Sequence, residues 1–189
     1  MDLDTSNPWK THSKKDIYDN PWINIVEHQV TNPSGGPGIY GVVHFKNAAI
    51  GIVPIDEKGN TWLVGQYRYT LDKFSWEIPE GGCKIDEETP LSSAQRELLE
   101  ETGIVAQKWQ MILNTHLSNS VTDEYSYTFL ATQLEMHEAA PEETEKLFLK
   151  KVPIKDAIEM CHSGEITDAL SIVSLFKVQT LIDRGDLNI

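Results

Sequence analysis

Hydrophobic positions along the chain form strand-like runs and helix-like stripes. The strand-like runs, separated by turn residues, cover residues 17–45, 48–55, 61–68, 74–79, 105–113, 124–134 and 147–152. Helical periodicity covers residues 90–102, 153–162 and 167–185. Because strands are followed by helices twice along the chain, this order predicts an α/β fold with a mixed sheet between helical layers.

The first 47 residues read as a separate β-rich region. Two strand-like runs lie between residues 17 and 45, and the Pro- and Gly-rich residues 32–38 predict the turn between them. The polar residues 1–14 are expected to lie partly outside regular structure. We therefore predict a small N-terminal antiparallel sheet over residues 1–47, followed by a larger domain over residues 48–189.

The helix predicted after residue 89 has clear end signals. Thr89 is a good N-cap, Pro90 suits the first helical position, and Gly103 suits the left-handed residue after the last turn. One stripe of the helix is apolar and is expected to face a core: Leu91, Ala94 and Leu98.

Three carboxylates crowd one face of this helix, because Glu97, Glu100 and Glu101 fall at i, i+3 and i+4. Mutual repulsion and the nearby negative helix end together disfavour this placement by about 1–3 kcal/mol. A bound divalent cation would turn this electrostatic cost into a net attraction, and carboxylate oxygens suit Mg²⁺ or Mn²⁺. A solvated acidic face is the ordinary alternative.

The residues around these carboxylates follow a longer pattern. Gly82, five residues, Glu88, seven residues and then the segment from Arg96 to Ile104 resemble the complete Nudix box. The resemblance implies a Nudix α/β/α sandwich and two or three Mg²⁺ ions per site, with Mn²⁺ as an alternative. It implies metal ligation by the carbonyl of Gly81 and by the three box glutamates, and an ion pair between Arg96 and Glu88. Arg96 and Glu101 are thereby predicted members of the catalytic machinery.

The resemblance extends beyond the box. Residues 66–69, 76–82 and 164–169 resemble ADP-ribose pyrophosphatases and related nucleoside diphosphate sugar hydrolases. That group implies attack of water on phosphorus, giving a nucleoside monophosphate and a sugar phosphate. Its pattern places the general base on Glu143 and a further metal ligand on Glu145, within the acidic residues 137–145. Glu142 and Glu145 remain alternatives for the base.

Candidates for substrate binding lie upstream of the helix. Arg68 could contact phosphate or the terminal sugar, or it could form an ordinary salt bridge. Glu80 could contribute to substrate binding, orient Arg96 or ligate metal. Three aromatic residues could stack on a base or line the pocket, with core packing as the alternative: Trp22, Tyr40 and Trp76.

The sequence does not select one substrate. Residues 116–124 lack the proline that ADP-ribose enzymes often carry in this loop, so other nucleotide sugars remain candidates. GDP-mannose, dinucleoside polyphosphates, NADH and capped RNA are alternatives, as is a Nudix-fold ligand sensor without catalysis. The net charge of −13 argues against attraction to nucleic acid or to anionic membranes.

The composition of the chain indicates its cellular compartment, and the resemblance indicates its assembly. The chain has 189 residues, is 40% hydrophobic, and has two cysteines that form no CxxC motif. It contains no run of about 18 apolar residues and no apolar signal core, so we expect a cytoplasmic protein without a membrane span. The resemblance further implies a domain-swapped homodimer, in which the N-terminal sheet exchanges between subunits and helps to form the pocket.

Overall fold

The computed structural model describes residues 3–137 and 146–188. The chain divides into an N-terminal unit, Met1–Asn47 with Ser118–Glu124, and a second unit, Ala48–Leu117 with Tyr125–Ile189. The strands are β1 (Lys10–Asp19), β2 (Ile23–Thr31), β3 (Pro37–Phe45), β4 (Ala48–Pro54), β5 (Asn60–Arg68), β6 (Lys73–Glu77), β7 (Glu80–Cys83), β8 (Ile104–His116), β9 (Tyr125–Met136) and β10 (Phe148–Pro153). The helices are α1 (Pro90–Thr102), α2 (Ile154–Ser163) and α3 (Ala169–Asp183), and residues 69–71 form one 3₁₀ turn.

The N-terminal unit is an antiparallel sheet in the order β1-β2-β3, which confirms the small sheet predicted from the sequence. The turn between β2 and β3 is closed by Asn32, whose side-chain oxygen accepts hydrogen bonds from the backbone N–H groups of Ser34 and Gly36. The first strand begins at Lys10, so the expectation of irregular structure is wrong for residues 10–14. Every residue of β1 is exposed, and backbone pairing to β2 holds the strand in place.

Two sheets form the second unit. A four-stranded sheet has the order β7-β4-β9-β8 and is mixed, because β4 runs parallel to β9 while its other pairs are antiparallel. A three-stranded antiparallel sheet has the order β10-β5-β6. The predicted mixed sheet is therefore present.

Side chains of β4 alternate between two cores, one on each face of the sheet. Ile50 and Ile52 pack with Ala94 and Leu98 of α1. Val53 and Ile55 pack in the other core, which α2 and α3 cover. These two cores give the helix–sheet–helix layering of the predicted α/β/α sandwich.

Helix α1 has the predicted ends. The Thr89 hydroxyl accepts from the Ser92 N–H, the Ser92 hydroxyl accepts from the Thr89 N–H, and Gly103 ends the helix at φ 69°. Ala94 and Leu98 are fully buried as expected, but Leu91 is 39% exposed, so its assignment to the core is wrong. The first turn of the helix is joined to the preceding loop, where the Ser93 hydroxyl donates to Glu88.

Helices α2 and α3 meet through a short connection that begins at Gly164, where φ is 79°. The N-cap of α3 is Asp168, whose carboxylate accepts from the Ser171 N–H at 2.7 Å. Helix α3 therefore begins at Ala169, two residues later than the helical periodicity predicted, and the Thr167 hydroxyl lies 3.4 Å from the Lys73 ammonium.

Within residues 3–137 and 146–188, no helix is long and apolar enough to cross a bilayer. Both cysteines are free thiols, of which Cys83 is fully buried, and burial raises the pKa of Cys161 to about 11.

Candidate active site

Strand β7 brings Gly81 against helix α1. Gly81 lies opposite Ile50 in the register of β7 and β4, and the strand then runs into the loop that precedes the helix. A Cβ atom built at position 81 would overlap the carboxylate of Glu97. Glycine is therefore the residue that fits here, and it lets the backbone and this carboxylate lie side by side.

Arg96 joins the loop to the helix through one guanidinium group. Its Nη1 donates to Glu97 at 2.9 Å and to Glu100 at 3.0 Å. Its Nη2 donates to the Gly82 carbonyl at 3.1 Å and to Glu88 at 3.3 Å. The expected ion pair between Arg96 and Glu88 is thus present, and it extends to two of the three box carboxylates.

The carboxylates around Arg96 differ in environment. Burial raises the pKa of Glu97, Arg96 opposes that rise, and the charge of Glu100 adds to it. Hydrogen bonds from Ser93 and then from Arg96 lower the pKa of Glu88. Glu101 is buried, and its Oε2 accepts from the backbone N–H of Glu80 at 3.0 Å.

A second ionic group lies at the start of β7. Arg68 donates to both oxygens of Glu77 through Nε, at 2.9 and 3.0 Å, and to Glu80 through Nη2 at 2.6 Å. Arg68 therefore forms the salt bridge that the sequence analysis gave as an alternative to substrate contact. The carboxylate of Glu80 contacts Arg68, and no hydrogen bond joins it to Arg96 in the described part of the chain.

Glu80 is surrounded by like charge. Burial raises its pKa well above the usual range, and the negative charges of Asp168, Glu77 and Glu101 add to that rise against the opposing effect of Arg68. Its Oε2 is buried without a hydrogen-bond partner among the residues that the structure describes. This corner of the site therefore carries an excess of negative charge and an open acceptor.

The aromatic candidates are divided between the two units. Trp76 points to the opposite face of β6 from Glu77 and packs edge-on against Phe74, with the Lys150 ammonium 5.2 Å from its ring centre. Trp22 and Tyr40 belong to the N-terminal unit, where Trp22 is 67% exposed and the Tyr40 hydroxyl donates to the Ser120 carbonyl. The structure does not bring Trp76 together with the carboxylates of α1.

Three predicted loop acids fall outside the described residues: Glu142, Glu143 and Glu145. Sequence reasoning also missed two acids that the structure gathers near Arg68, namely Glu77 and Asp168. Both stand inside the motif segments 76–82 and 164–169, so their position in those motifs was the available signal.

The donors around Gly81 suit a hard divalent cation. They are carboxylate and carbonyl oxygens, and the open acceptor on Glu80 adds a further oxygen nearby. Among residues 3–137 and 146–188, no three acidic, His or Cys side chains already converge as a metal cage. The reason is visible in the contacts: Arg96 holds Glu97 and Glu100, while the Glu80 N–H holds one oxygen of Glu101.

Comparison with known families gives two matches. The model of the NUDIX domain matches residues 45–172. The model of the nucleoside diphosphate sugar hydrolase N-terminal domain matches residues 9–43. Together the two matches cover most of the chain.

Individual proteins are similar over nearly the whole chain. The ADP-ribose pyrophosphatase of Mycobacterium tuberculosis is 32% identical over 92% of this chain and 84% of its own length. The ADP-ribose pyrophosphatase of Bacillus subtilis is 30% identical over 90% of this chain and 92% of its own length. A solved structure described as an ADP compounds hydrolase has a TM-score of 0.85 at 17% identity, covers 98% of this chain and all of that one, and shares the fold.

Proposed function

The chain belongs to the Nudix family, and we propose that it hydrolyses the diphosphate linkage of ADP-ribose or a related nucleoside diphosphate sugar. One observation carries the proposal: where β7 reaches α1, the Glu97 carboxylate lies against Gly81 and the Glu101 carboxylate accepts from the N–H of the preceding residue, while Arg96 bridges the loop to the helix. The products would be a nucleoside monophosphate and a sugar phosphate.

The relatives support this substrate class. Two ADP-ribose pyrophosphatases are similar over at least 90% of the chain, and the N-terminal residues 9–43 match a domain described for nucleoside diphosphate sugar hydrolases. Both the N-terminal unit and the second unit are thus shared with proteins described as acting on this class.

Glu97, Glu100, Glu101 and the carbonyl of Gly81 would hold Mg²⁺, with Mn²⁺ as an alternative and with Glu145 as a further ligand. Two or three bound ions would neutralise the diphosphate charge. Arg96 keeps the loop and the helix in register, so that the oxygen donors stay together.

We propose Glu143 as the base that takes the proton from the attacking water. Glu143→Gln should lower turnover at least about 10²-fold, in line with the usual contribution of a general base. Glu142→Gln is the matched comparison, because Glu145→Gln should also lose activity through the metal site. A wild-type rate in Glu143→Gln would move the role of the base to Glu142 or Glu145.

Assembly and location complete the proposal. We propose a domain-swapped homodimer in which residues 1–47 form the dimer contact and a wall of the pocket. We also propose a cytoplasmic location, because two cysteines outside any CxxC motif suit a reducing compartment. Gel filtration with light scattering tests the dimer, since a monomer at micromolar concentration would contradict it.

A substrate panel tests the reaction. ADP-ribose, GDP-mannose, a dinucleoside polyphosphate, NADH and capped RNA are each incubated with Mg²⁺, and nucleotide products are read by chromatography. We expect fastest hydrolysis of ADP-ribose or a nucleotide sugar, loss of activity with a chelator, and at least about 10²-fold lower turnover in Glu101→Gln. Glu159→Gln, an exposed change on α2, is the control and should match wild type. Absence of hydrolysis of every nucleotide sugar would overturn the proposal.

A further inference from the structure

Arg68 uses only part of its guanidinium group for bonds within the protein. Its Nε donates to the two oxygens of Glu77 at 2.9 and 3.0 Å, and its Nη2 donates to Glu77 and to Glu80. Within residues 3–137 and 146–188, Nη1 donates to no residue, and 35% of the side chain is exposed. The N–H groups of Nη1, on a permanent cation, can therefore bond an acceptor from outside the protein.

Glu77 determines where this guanidinium lies. In the register of β5 and β6, Arg68 pairs with Lys73 near the hairpin turn. Glu77 pairs with Val64, four residues before Arg68, and both side chains lie on the same face because strand residues alternate. The Arg68 side chain therefore runs back along β5 to reach Glu77, away from the turn and towards the end of β6 that leads into β7.

Glu77 itself is held in place. Its side chain is 3% exposed, and the next residue, Ile78, donates its N–H to the Ser171 hydroxyl of α3 at 3.0 Å. A buried carboxylate that bonds one guanidinium through both oxygens has a fixed geometry. Buried ion pairs contribute little net stability on average, so the fixed orientation of Arg68 is the more informative property of this pair. A group that is oriented before its ligand arrives binds that ligand at lower entropic cost.

The guanidinium lies beside the proposed metal site. Arg68 Nη2 donates to Glu80 at 2.6 Å, and the Glu80 N–H donates to Glu101 at 3.0 Å, directly before Gly81. The acids of this corner would repel a phosphate group on their own, but bound divalent cations invert the local field. A diphosphate bound to those cations would meet Arg68 at the edge of the same site.

We propose that Glu77 is a positioning residue, which holds the Arg68 guanidinium so that Nη1 donates to a phosphate oxygen of the substrate. This inference rests on the proposed function, because it needs a diphosphate at the metal site. Glu77 is buried behind Arg68 and bonds to it through both oxygens, so its effect on the substrate passes through Arg68.

Steady-state kinetics with Mg²⁺ and the fastest nucleotide sugar of the panel test this role in a double-mutant cycle. Glu77→Gln keeps the size of the side chain and should raise KM about tenfold with kcat near wild type, because substrate binding is weakened before and in the transition state alike. In an Arg68→Met background, Glu77→Gln should change KM less than about twofold, because the group that it positions is gone. KM does not depend on the fraction of folded chains, so partial unfolding of a variant does not distort the cycle.

Two kinetic results would overturn the proposal. One is a KM of Glu77→Gln within about twofold of wild type, and the other is an equal rise in KM with and without Arg68, as a general structural defect would give. Asp56→Asn is the matched control, because it breaks the ion pair of another largely buried acid, with Lys151, outside the proposed site. It should leave KM unchanged in both backgrounds.

Calorimetry with inorganic pyrophosphate and Mg²⁺ separates this inference from the proposed function. Pyrophosphate carries the diphosphate group without a nucleoside or a sugar. We expect Glu77→Gln to weaken its binding about tenfold when Arg68 is present and less than about twofold in Arg68→Met. This pattern in a chain that hydrolyses no nucleotide sugar would support the role of Glu77 and refute the proposed substrate. Equal affinities in wild type and Glu77→Gln, or no binding at millimolar concentration, would refute the role of Glu77.

Nitrogen NMR of the chain without metal or ligand observes the restraint itself. In wild type the Nη1 and Nη2 resonances of Arg68 should be separate, because the bidentate pair slows rotation about the Nε–Cζ bond. In Glu77→Gln they should merge, because the amide group offers one acceptor atom in place of two. Merged resonances in wild type, or separate ones in Glu77→Gln, would contradict the proposal.

Discussion

Gly81 lies so close to the Glu97 carboxylate that any side chain at position 81 would overlap it. One residue belongs to β7 and the other to α1, so this contact sets how closely the strand and the helix approach. The approach places a backbone carbonyl and a carboxylate in the same small volume, as a site for a hard cation requires.

The first prediction concerns this contact. Gly81→Ala should lower turnover about 10²-fold, because Glu97 must move by about 1 Å or more and displacements of that size are costly to catalysis. Glu159→Gln, the exposed change on α2, is the control, because it lies outside the proposed site and the proposed dimer contact. Steady-state rates with Mg²⁺ check the pair, and a Gly81→Ala rate within twofold of wild type would contradict the prediction.

Stability should depend on Arg68 more than on an exposed lysine. Arg68→Met leaves the buried Glu77 carboxylate without its counter-charge and should lower the free energy of unfolding by about 3 kcal/mol. Lys84→Met breaks an exposed pair with Glu87 and should change it by no more than about 1 kcal/mol. Urea unfolding measures the free energy of unfolding of both variants. Equal losses would show that the buried pair contributes no more to stability than the exposed pair.

The position of the N-cap of α3 can be tested by comparing substitutions at Asp168 and at its neighbour Thr167. Asp168→Ala should lower the free energy of unfolding by about 1 kcal/mol, because the Ser171 N–H loses its acceptor. Asp168→Asn keeps a capping oxygen and should retain most of the stability. Thr167→Ala should lower the free energy of unfolding by less than about 0.5 kcal/mol, and a larger effect there than at Asp168 would show that Thr167 caps the helix.

Acidic pH should lower the free energy of unfolding, partly because Asp56 becomes protonated. Burial alone would raise the pKa of Asp56, but hydrogen bonds from Lys151, Asn60 and Lys58 together bring it well below the usual range. A depressed pKa in the folded state gives stability that is present above the unfolded value of about 3.9 and is lost as pH falls below it. Unfolding free energies at pH 7 and pH 3 should therefore differ more in wild type than in Asp56→Asn, and equal differences would exclude this role.

The features that the sequence predicted are local ones. Thr89 and Gly103 mark the ends of α1 because capping depends on residues within one turn. The ion pair of Arg96 with Glu88 follows from a motif with fixed spacing. These features need no knowledge of the strand register.

The features that it missed depend on pairing between distant residues. Residues 10–14 carry no apolar alternation, and they become a strand because β2 offers backbone partners. Glu77 reaches Arg68 because β5 and β6 are adjacent and antiparallel, and Asp168 comes close only when α3 packs on the sheet. Hydrophobic periodicity contains no information on such pairs, although both acids stand inside motif segments.

Arg96 has a consequence for how inactive variants are interpreted. One side chain restrains the Gly82 carbonyl, the loop acid Glu88 and two helix glutamates at once. Its removal would release all of these restraints together. Loss of activity in an Arg96 variant would therefore reflect lost scaffolding, whether or not the guanidinium also touches a phosphate.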